Sequence, residues 1–241
     1  MSTHSSKVAL ITGANKGLGL EIARQLGQQG ITVVLGARQG RADEAAAQLR
    51  AEGLDAHPVP LDVTSAADVA ALPAFFARKF GRLDILVNNA GVQHDFGQEN
   101  GEVSVDSLRQ TYEANVFGPF AITQALLPLL RAAPAGRIVN HSSILGSIAT
   151  ISQGDGGAWT TPGYTSSKAA LNMLTVVAAH QLADTNIKVN AAHPGWVATD
   201  LGGPDAPLSP AEGARTAVRL ALLPADGPTG GYFHQEQTLP W

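Results

Sequence analysis

Val8-Ala-Leu-Ile-Thr12 runs directly into Gly13-Ala-Asn-Lys-Gly17-Leu-Gly19, and a helix-compatible stretch from Gly17 to Gln28 follows. A short, continuously apolar run reads as a strand buried on both faces. The glycines at 13, 17 and 19 follow GxxxGxG spacing. Small residues there let backbone N–H groups approach a pyrophosphate, and the N-terminus of the following helix adds a favourable dipole. Strand before and helix after is the context that separates a nucleotide-binding turn from an ordinary glycine-rich loop.

Working outward, short β-branched runs alternate with Ala-rich stretches. Strands are expected at Val8–Thr12, Thr32–Leu35, Ala56–Pro60, Ile85–Asn88, Arg137–His141, Lys188–Ala192 and Tyr232–His234. Helices are expected at Gly17–Gln28, Arg41–Ala51, Ala66–Phe80, Val105–Leu130, Tyr164–Ala183 and Pro210–Leu222. This order predicts a single α/β domain over residues 1–241, a Rossmann-type doubly wound parallel β-sheet flanked by helices. Three long segments rich in Gly, Pro or small polar residues, Gly91–Ser104, Gly146–Gly163 and Gly195–Ser209, each follow a predicted strand. They belong at the carboxyl edge of the sheet, where open α/β sheets bind ligands. The third, within about residues 195–212, is expected to act as a substrate lid.

Bulk properties remove other classes. Hydrophobic residues make up 44% of the 241 and charged residues 15%, enough apolar material for one sizeable core. A net charge of −4 gives no global attraction to nucleic acid or to an anionic membrane. With no cysteine there is no disulfide and no thiolate chemistry. No apolar run reaches the length of a membrane span, and the segment before Thr12 is too short for a signal peptide, so a cytoplasmic protein is expected. The seven histidines show no metal-ligand spacing, and no GxSxG elbow points to a serine hydrolase.

Two cations indicate the cofactor. Arg38 follows the second predicted strand, where many NAD enzymes carry an acid for the ribose 2′-OH; an Arg suits a 2′-phosphate instead. Lys16, inside the glycine turn, reaches toward the same phosphate. Together they favour NADP(H). Asp62 and Val63, after the third strand, are placed to touch the adenine; an Asp capping the next helix fits almost as well.

Tyr164 and Lys168 stand four residues apart on a predicted helix, hence on one face and one turn apart. A free tyrosine titrates near pH ~10. A neighbouring ammonium and a cationic nicotinamide ring both favour phenolate, so the Tyr164 pKa is expected to fall, and the residue suits proton exchange with a carbonyl or alcohol oxygen.

These residues carry a resemblance. In order along nearly the whole chain, Thr12-Gly13-Ala-Asn-Lys-Gly17-Leu-Gly19, Asn88-Asn-Ala-Gly91, Asn115 in Ala-Asn-Val-Phe-Gly, Ser143 in Ser-Ser-Ile-Leu-Gly146, Tyr164/Lys168 and Pro194-Gly-Trp-Val-Ala-Thr199-Asp resemble the short-chain dehydrogenases/reductases. The likeness is greatest to their carbonyl-reductase-like, NADP(H)-preferring members. It implies an oxidoreductase that reduces a ketone or aldehyde with NADPH. Tyr164 would be the general acid/base, Ser143 (rather than its neighbour Ser142) the hydroxyl on the substrate oxygen, Lys168 the ligand of the nicotinamide ribose, and Asn115 the anchor of a proton relay. Gly13, Asn15, Lys16, Gly17, Leu18 and Gly19 would line the diphosphate. Asn88 and Gly91 would support the adenosine ribose and the central strand, and Pro194, Gly195, Val197 and Thr199 would hold the nicotinamide amide.

The stretch from Ser143 to Tyr164 is longer than in many members and leaves the substrate pocket's shape open. Candidate pocket residues are Gln93, His94, Phe96, Leu145, Trp159, Trp196 and Leu201. A homodimer or homotetramer built on the two long helices is expected. The competing reading is an NADP(H)-binding sensor on the same fold, which the presence of both Tyr164 and Lys168 disfavours.

Overall fold

The computed structural model describes residues 7–95, 102–154 and 161–241. Its strands are β1 (Val8–Thr12), β2 (Thr32–Ala37), β3 (Ala56–Pro60), β4 (Ile85–Asn88), β5 (Arg137–His141), β6 (Lys188–Ala192), β7 (Tyr232–His234) and β8 (Gln237–Thr238). Its α-helices are α1 (Gly17–Gln28), α2 (Arg41–Ala51), α3 (Ala66–Lys79), α4 (Val105–Tyr112), α5 (Gly118–Ala132), α6 (Ile148–Ser152), α7 (Pro162–Gln181) and α8 (Pro210–Ala221). One sheet has the order β3-β2-β1-β4-β5-β6-β7-β8. All neighbours pair in parallel except β7 with β8, an antiparallel edge that the sequence did not announce.

The apolar runs β1 and β2 are buried along their full length because helices cover both faces. On one face Ile22, Ala23 and Leu26 of α1, Leu49 of α2 and Ala217 and Leu220 of α8 pack against Ile11, Leu35 and Val87. On the other, Phe76 of α3, Ile122 and Leu126 of α5 and Ala179 of α7 pack against Leu10, Leu86 and Ile138. Strand order reverses at β1, which pairs with β2 on one side and β4 on the other. The reversal opens a crevice at the carboxyl ends of β1 and β4, and the glycine-rich turn lies there.

Helix α7 spans Pro162–Gln181 rather than Tyr164–Ala183, α3 and α8 each end one residue early, and three larger differences from the sequence expectation remain. Strand β2 continues to Ala37 rather than stopping at Leu35, with Gly36 opposite Val59 and Ala37 opposite Pro60. The glycine that reads as a stop is a packing residue, since a Cβ at 36 would lie 2.9 Å from Leu61 Cδ2. The single helix expected over Val105–Leu130 is α4 and α5 joined by a π-helical turn, Glu113–Phe117. Pro119 lacks the N–H that would continue the α pattern back to residue 115, and the wider turn accommodates it. The segment after Ser143 contains a 3₁₀ turn, Ile144–Gly146, and the short α6 capped by Ser147 on Thr150.

Candidate active site

The glycine turn is braced from below. Thr12 Oγ1 accepts N–H bonds from Asn89 and Ala90, both at 3.0 Å, and Asn89 Nδ2 donates to Thr12 O at 2.9 Å. A Cβ on Gly13 would fall 2.9 Å from Ala90 Cα, and one on Gly19 would fall 2.4 Å from Gly13 O, so neither position admits a side chain. Gly13 and Gly17 have φ of 64° and 54°, the left-handed region that glycine alone enters without strain. Helix α1 starts at Gly17 with no side-chain cap and no acid in its first turn. Its first N–H groups, on Gly17, Leu18 and Gly19, are thus left for an anion, which is what a diphosphate requires. Asn15 is half-buried in the same turn, and Lys16 is exposed. The Lys16 ammonium forms an ion pair with Asp200, in the loop after β6.

Arg38 stands exposed immediately beyond β2. It lies close enough to Asp62 to help hold that carboxyl below the usual range, after the larger effect of hydrogen bonds from Thr64 Oγ1 and N. Asp62 therefore shapes the turn leading to α3, whose cap is Ser65. Val63 packs against Gly118, where a Cβ would lie 2.7 Å from Val63 O. The Asn88 side chain points into the core, with Nδ2 donating to Asn140 Oδ1 at 2.9 Å and Thr123 Oγ1 at 3.2 Å. It knits β4 to β5 and α5 and does not face the crevice.

Past β4 the chain meets the candidate catalytic residues. Asn115, buried in the π turn, accepts from Val92 N at 2.8 Å and donates from Nδ2 to Val92 O at 2.9 Å and Ser167 Oγ at 3.0 Å. At Gly91 a Cβ would sit 3.3 Å from Asn115 Oδ1 and 3.4 Å from Lys168 Nζ, which places both groups at that glycine. Lys168 is buried in α7 and donates from Nζ to His141 O at 2.9 Å. Burial pushes its ammonium down to about 8. One turn earlier on the same face Tyr164 is buried, and its ring centre lies 5.5 Å from Lys168 Nζ. Ser143, two residues beyond β5, lies near enough to the Tyr164 hydroxyl to lower its pKa somewhat. The adjacent Ser142 instead donates to Asn172 Oδ1 at 2.6 Å.

For the lysine's part in that expected fall the geometry gives the opposite result: burial drives the Tyr164 pKa up to about 12, and nearby Ser143 offsets only part of that rise. The Lys168 ammonium is engaged by the His141 carbonyl, so in the protein alone the phenol stays protonated.

The loop after β6 closes the crevice. Gly195 has φ 85°, and a Cβ there would meet Leu208 Cδ1 at 2.4 Å. Val197 is buried and bridges to Leu208, and Ala198 N donates to Leu208 O at 2.8 Å. Thr199 accepts from Gly202 N at 3.2 Å, and its Cγ2 would be 3.4 Å from a Cβ on Gly17, so this loop touches the glycine turn. Pro194 leads into it from His193, whose Nδ1 accepts from Ile144 N at 3.2 Å. Among the pocket candidates, Gln93 donates to Thr161 Oγ1 at 3.2 Å, Leu145 is half-buried beside Ser143, and Trp196 is 46% exposed with Nε1 on Gly202 O at 2.7 Å. Trp159 and Phe96 lie outside the described residues. Residues of the site that the sequence reading did not single out include Asn89, Ser167, Asn172, His141 and Asp95. Asn89 alone had a signal, its place inside Asn88-Asn-Ala-Gly91.

Among the described residues no helix is long and apolar enough to cross a membrane, and no group of three or more His, Asp or Glu side chains is gathered to hold a metal. The model of the short chain dehydrogenase family matches residues 7–207. Carbonyl reductase [NADPH] 1 of Sus scrofa is 35% identical over 98% of this chain and 95% of its own length. (-)-Isopiperitenone reductase of Mentha piperita is 34% identical over 97% and 98%. The structure of NADPH-bound carbonyl reductase from chicken fatty liver superposes with a TM-score of 0.85 at 29% identity, covering 98% of this chain and 99% of that one. Matched from Lys7 through Asn115, Ser143, Tyr164 and Lys168 to the loop after β6, the chain is an oxidoreductase that belongs to the short chain dehydrogenase family.

Proposed function

We propose that the protein is an NADP(H)-dependent carbonyl reductase that turns a ketone or aldehyde into an alcohol, with Tyr164 as general acid. The observation that carries this reading is the arrangement of half-buried Ser143 with buried Tyr164 and Lys168 at the carboxyl edge of the sheet, beside an uncapped glycine-rich helix start. The glycine turn and the first turn of α1 would hold the diphosphate, Arg38 and Lys16 the 2′-phosphate, and Lys168 the nicotinamide ribose. The loop Pro194–Thr199 would hold the carboxamide. When bound, the dinucleotide supplies the hydride. Ser143 and Tyr164 orient the substrate oxygen by donating to it, and a phenol kept protonated by burial is in the correct state to give its proton to a developing alkoxide. Lys168 and Asn115 stand behind Tyr164 to return that proton. Segment Val197–Leu208 forms the outer wall, and Gln93, Leu145 and Trp196 shape the substrate side. The names of relatives that print carbonyl reductase and NADPH support the same reaction class.

The direct test follows NADPH oxidation at 340 nm with a panel of ketones, aldehydes and quinones, beside NADH. Turnover of one or more carbonyls with NADPH preferred is the expected result; tight NADPH binding with no turnover rejects it. We also infer a homodimer or homotetramer in the cytoplasm. Phe117 of the π turn, Phe120 of α5 and Met173 and Val177 of α7 are exposed apolar side chains beyond what the sheet needs. Light scattering that shows only monomer at micromolar concentration rejects the assembly.

A further inference from the structure

Asp95 is fully buried four residues beyond Gly91, on the segment that leaves β4. Its carboxylate accepts from Thr161 Oγ1 at 3.0 Å and from the backbone N–H of Gly163. Thr161 is the residue that opens α7, yet its own side chain caps nothing in that helix. The acceptor for the first turn comes from a different part of the chain. A negative charge at this end of α7 also opposes the helix dipole favourably.

The position matters because of what the first turn carries. Tyr164 is the third residue of α7, behind Pro162 and Gly163. First-turn N–H groups have no partner within the helix, and glycine is the residue least restrained in φ and ψ, so an uncapped Pro-Gly start frays at the proposed proton donor. Gly163 is required by the same contact, since a Cβ there would stand 2.8 Å from Asp95 Oδ2. Gln93 adds a bond to Thr161 at 3.2 Å, and one turn later Asn115 joins Val92 to Ser167. The stretch Val92–Asp95 is thereby fixed to α7 on both sides of Tyr164.

We propose that Asp95 is the positioning residue of Tyr164, a buried carboxylate that caps the catalytic helix from outside it and fixes the phenol against Ser143. The inference rests on Tyr164 being the general acid. It is tested with 4-nitrobenzaldehyde and NADPH, or the best carbonyl of the panel, on Asp95→Ala, Asp95→Asn and Thr161→Val beside Tyr164→Phe. Misplacing a reacting group by about 1 Å costs on the order of a hundredfold in rate. Asp95→Ala should therefore lose roughly ten- to a hundredfold in kcat, while the NADPH Kd, read by fluorescence, stays within about twofold. Asp95→Asn keeps an acceptor for Gly163 and should recover most of kcat, which a role confined to stability would not produce. Thr161→Val should lose less than Asp95→Ala, and the two losses should not add. A folded Asp95→Ala with unchanged kcat overturns the proposal, as does a loss that follows NADPH affinity. If Asp95→Ala does not fold, Asp95→Asn and Thr161→Val decide: kcat unaltered in Thr161→Val, or lowered in Asp95→Asn as far as in Tyr164→Phe, counts against it. Wild-type activity in Tyr164→Phe would instead remove the reaction assignment itself.

Discussion

The Lys168 ammonium donates at 2.9 Å to the carbonyl of His141 while standing 5.5 Å from the centre of the Tyr164 ring. Desolvation of this buried ammonium pushes its pKa down, to about 8 from the ordinary 10.5. The unfolded chain then binds more protons than the folded one between pH 8 and 10.5, so this lysine makes the protein more stable as pH rises through that window. The Tyr164 shift, up to about 12, acts in the opposite direction, but only above pH ~10. Comparing Lys168→Met with the wild type from pH 8 to 10, the difference in unfolding free energy should move toward the wild type, by roughly 3 kcal/mol at full titration. A constant difference across the range contradicts the shift.

His141 gives the acid counterpart. Its ring is fully buried, both nitrogens lack a hydrogen-bond partner, and burial, with Lys168 and His193 nearby, drives it down to about 3. Below pH ~6.5 the unfolded chain takes up a proton that the folded chain refuses, so stability falls from there toward pH 3. His141→Leu should move the acid-unfolding midpoint to lower pH and leave stability at pH 7 equal or higher, because it removes unpartnered polar atoms. An unchanged midpoint by circular dichroism would refute this.

Tyr164→Phe keeps the ring and removes only the proton. General acid catalysis contributes roughly a hundred- to ten-thousandfold, so carbonyl reduction should fall by that factor with NADPH binding intact. Steady-state kinetics and a binding titration on one preparation measure both.

The parts of this molecule set by local chemistry were legible in the sequence. The strand–glycine turn–helix start, the four-residue spacing of Tyr164 and Lys168, and the position of Arg38 after β2 depend on neighbours in the chain, and each lies where that spacing puts it. What was not legible depends on distant partners. Nothing near Asp95 in sequence indicates that Thr161 and Gly163 will meet it, and the rise of the Tyr164 pKa reflects enclosure, not the lysine one turn away. Gly36 inside β2 reads as an interruption until Leu61 is seen to pack over it. Antiparallel β8 is too short to leave a pattern.

Arg38→Asp tests the cofactor assignment. A charge-assisted hydrogen bond contributes about 1.5–3 kcal/mol, so its loss weakens binding roughly ten- to a hundredfold. The variant adds repulsion against a 2′-phosphate and offers a carboxylate to ribose hydroxyls. The ratio of kcat/KM for NADPH over NADH should drop at least tenfold, chiefly through NADPH. Equal changes for both cofactors would mean that Arg38 is only a surface cation.

Lys16 already has an anion, Asp200, and the two are 61% and 78% exposed. Counting ions therefore differs from counting cations near the phosphate. A 2′-phosphate that recruits Lys16 frees Asp200, and the net charge neutralised on binding is nearer one than two. The logarithm of the NADPH Kd against that of salt concentration should have a shallow slope, as if Arg38 acted alone. In Asp200→Asn the slope should steepen and the affinity at low salt should rise by about a fewfold at most, because an exposed, solvent-screened ion pair is weak. Identical slopes would mean that the two loops are joined by packing at Gly17 and Thr199, with the ion pair incidental.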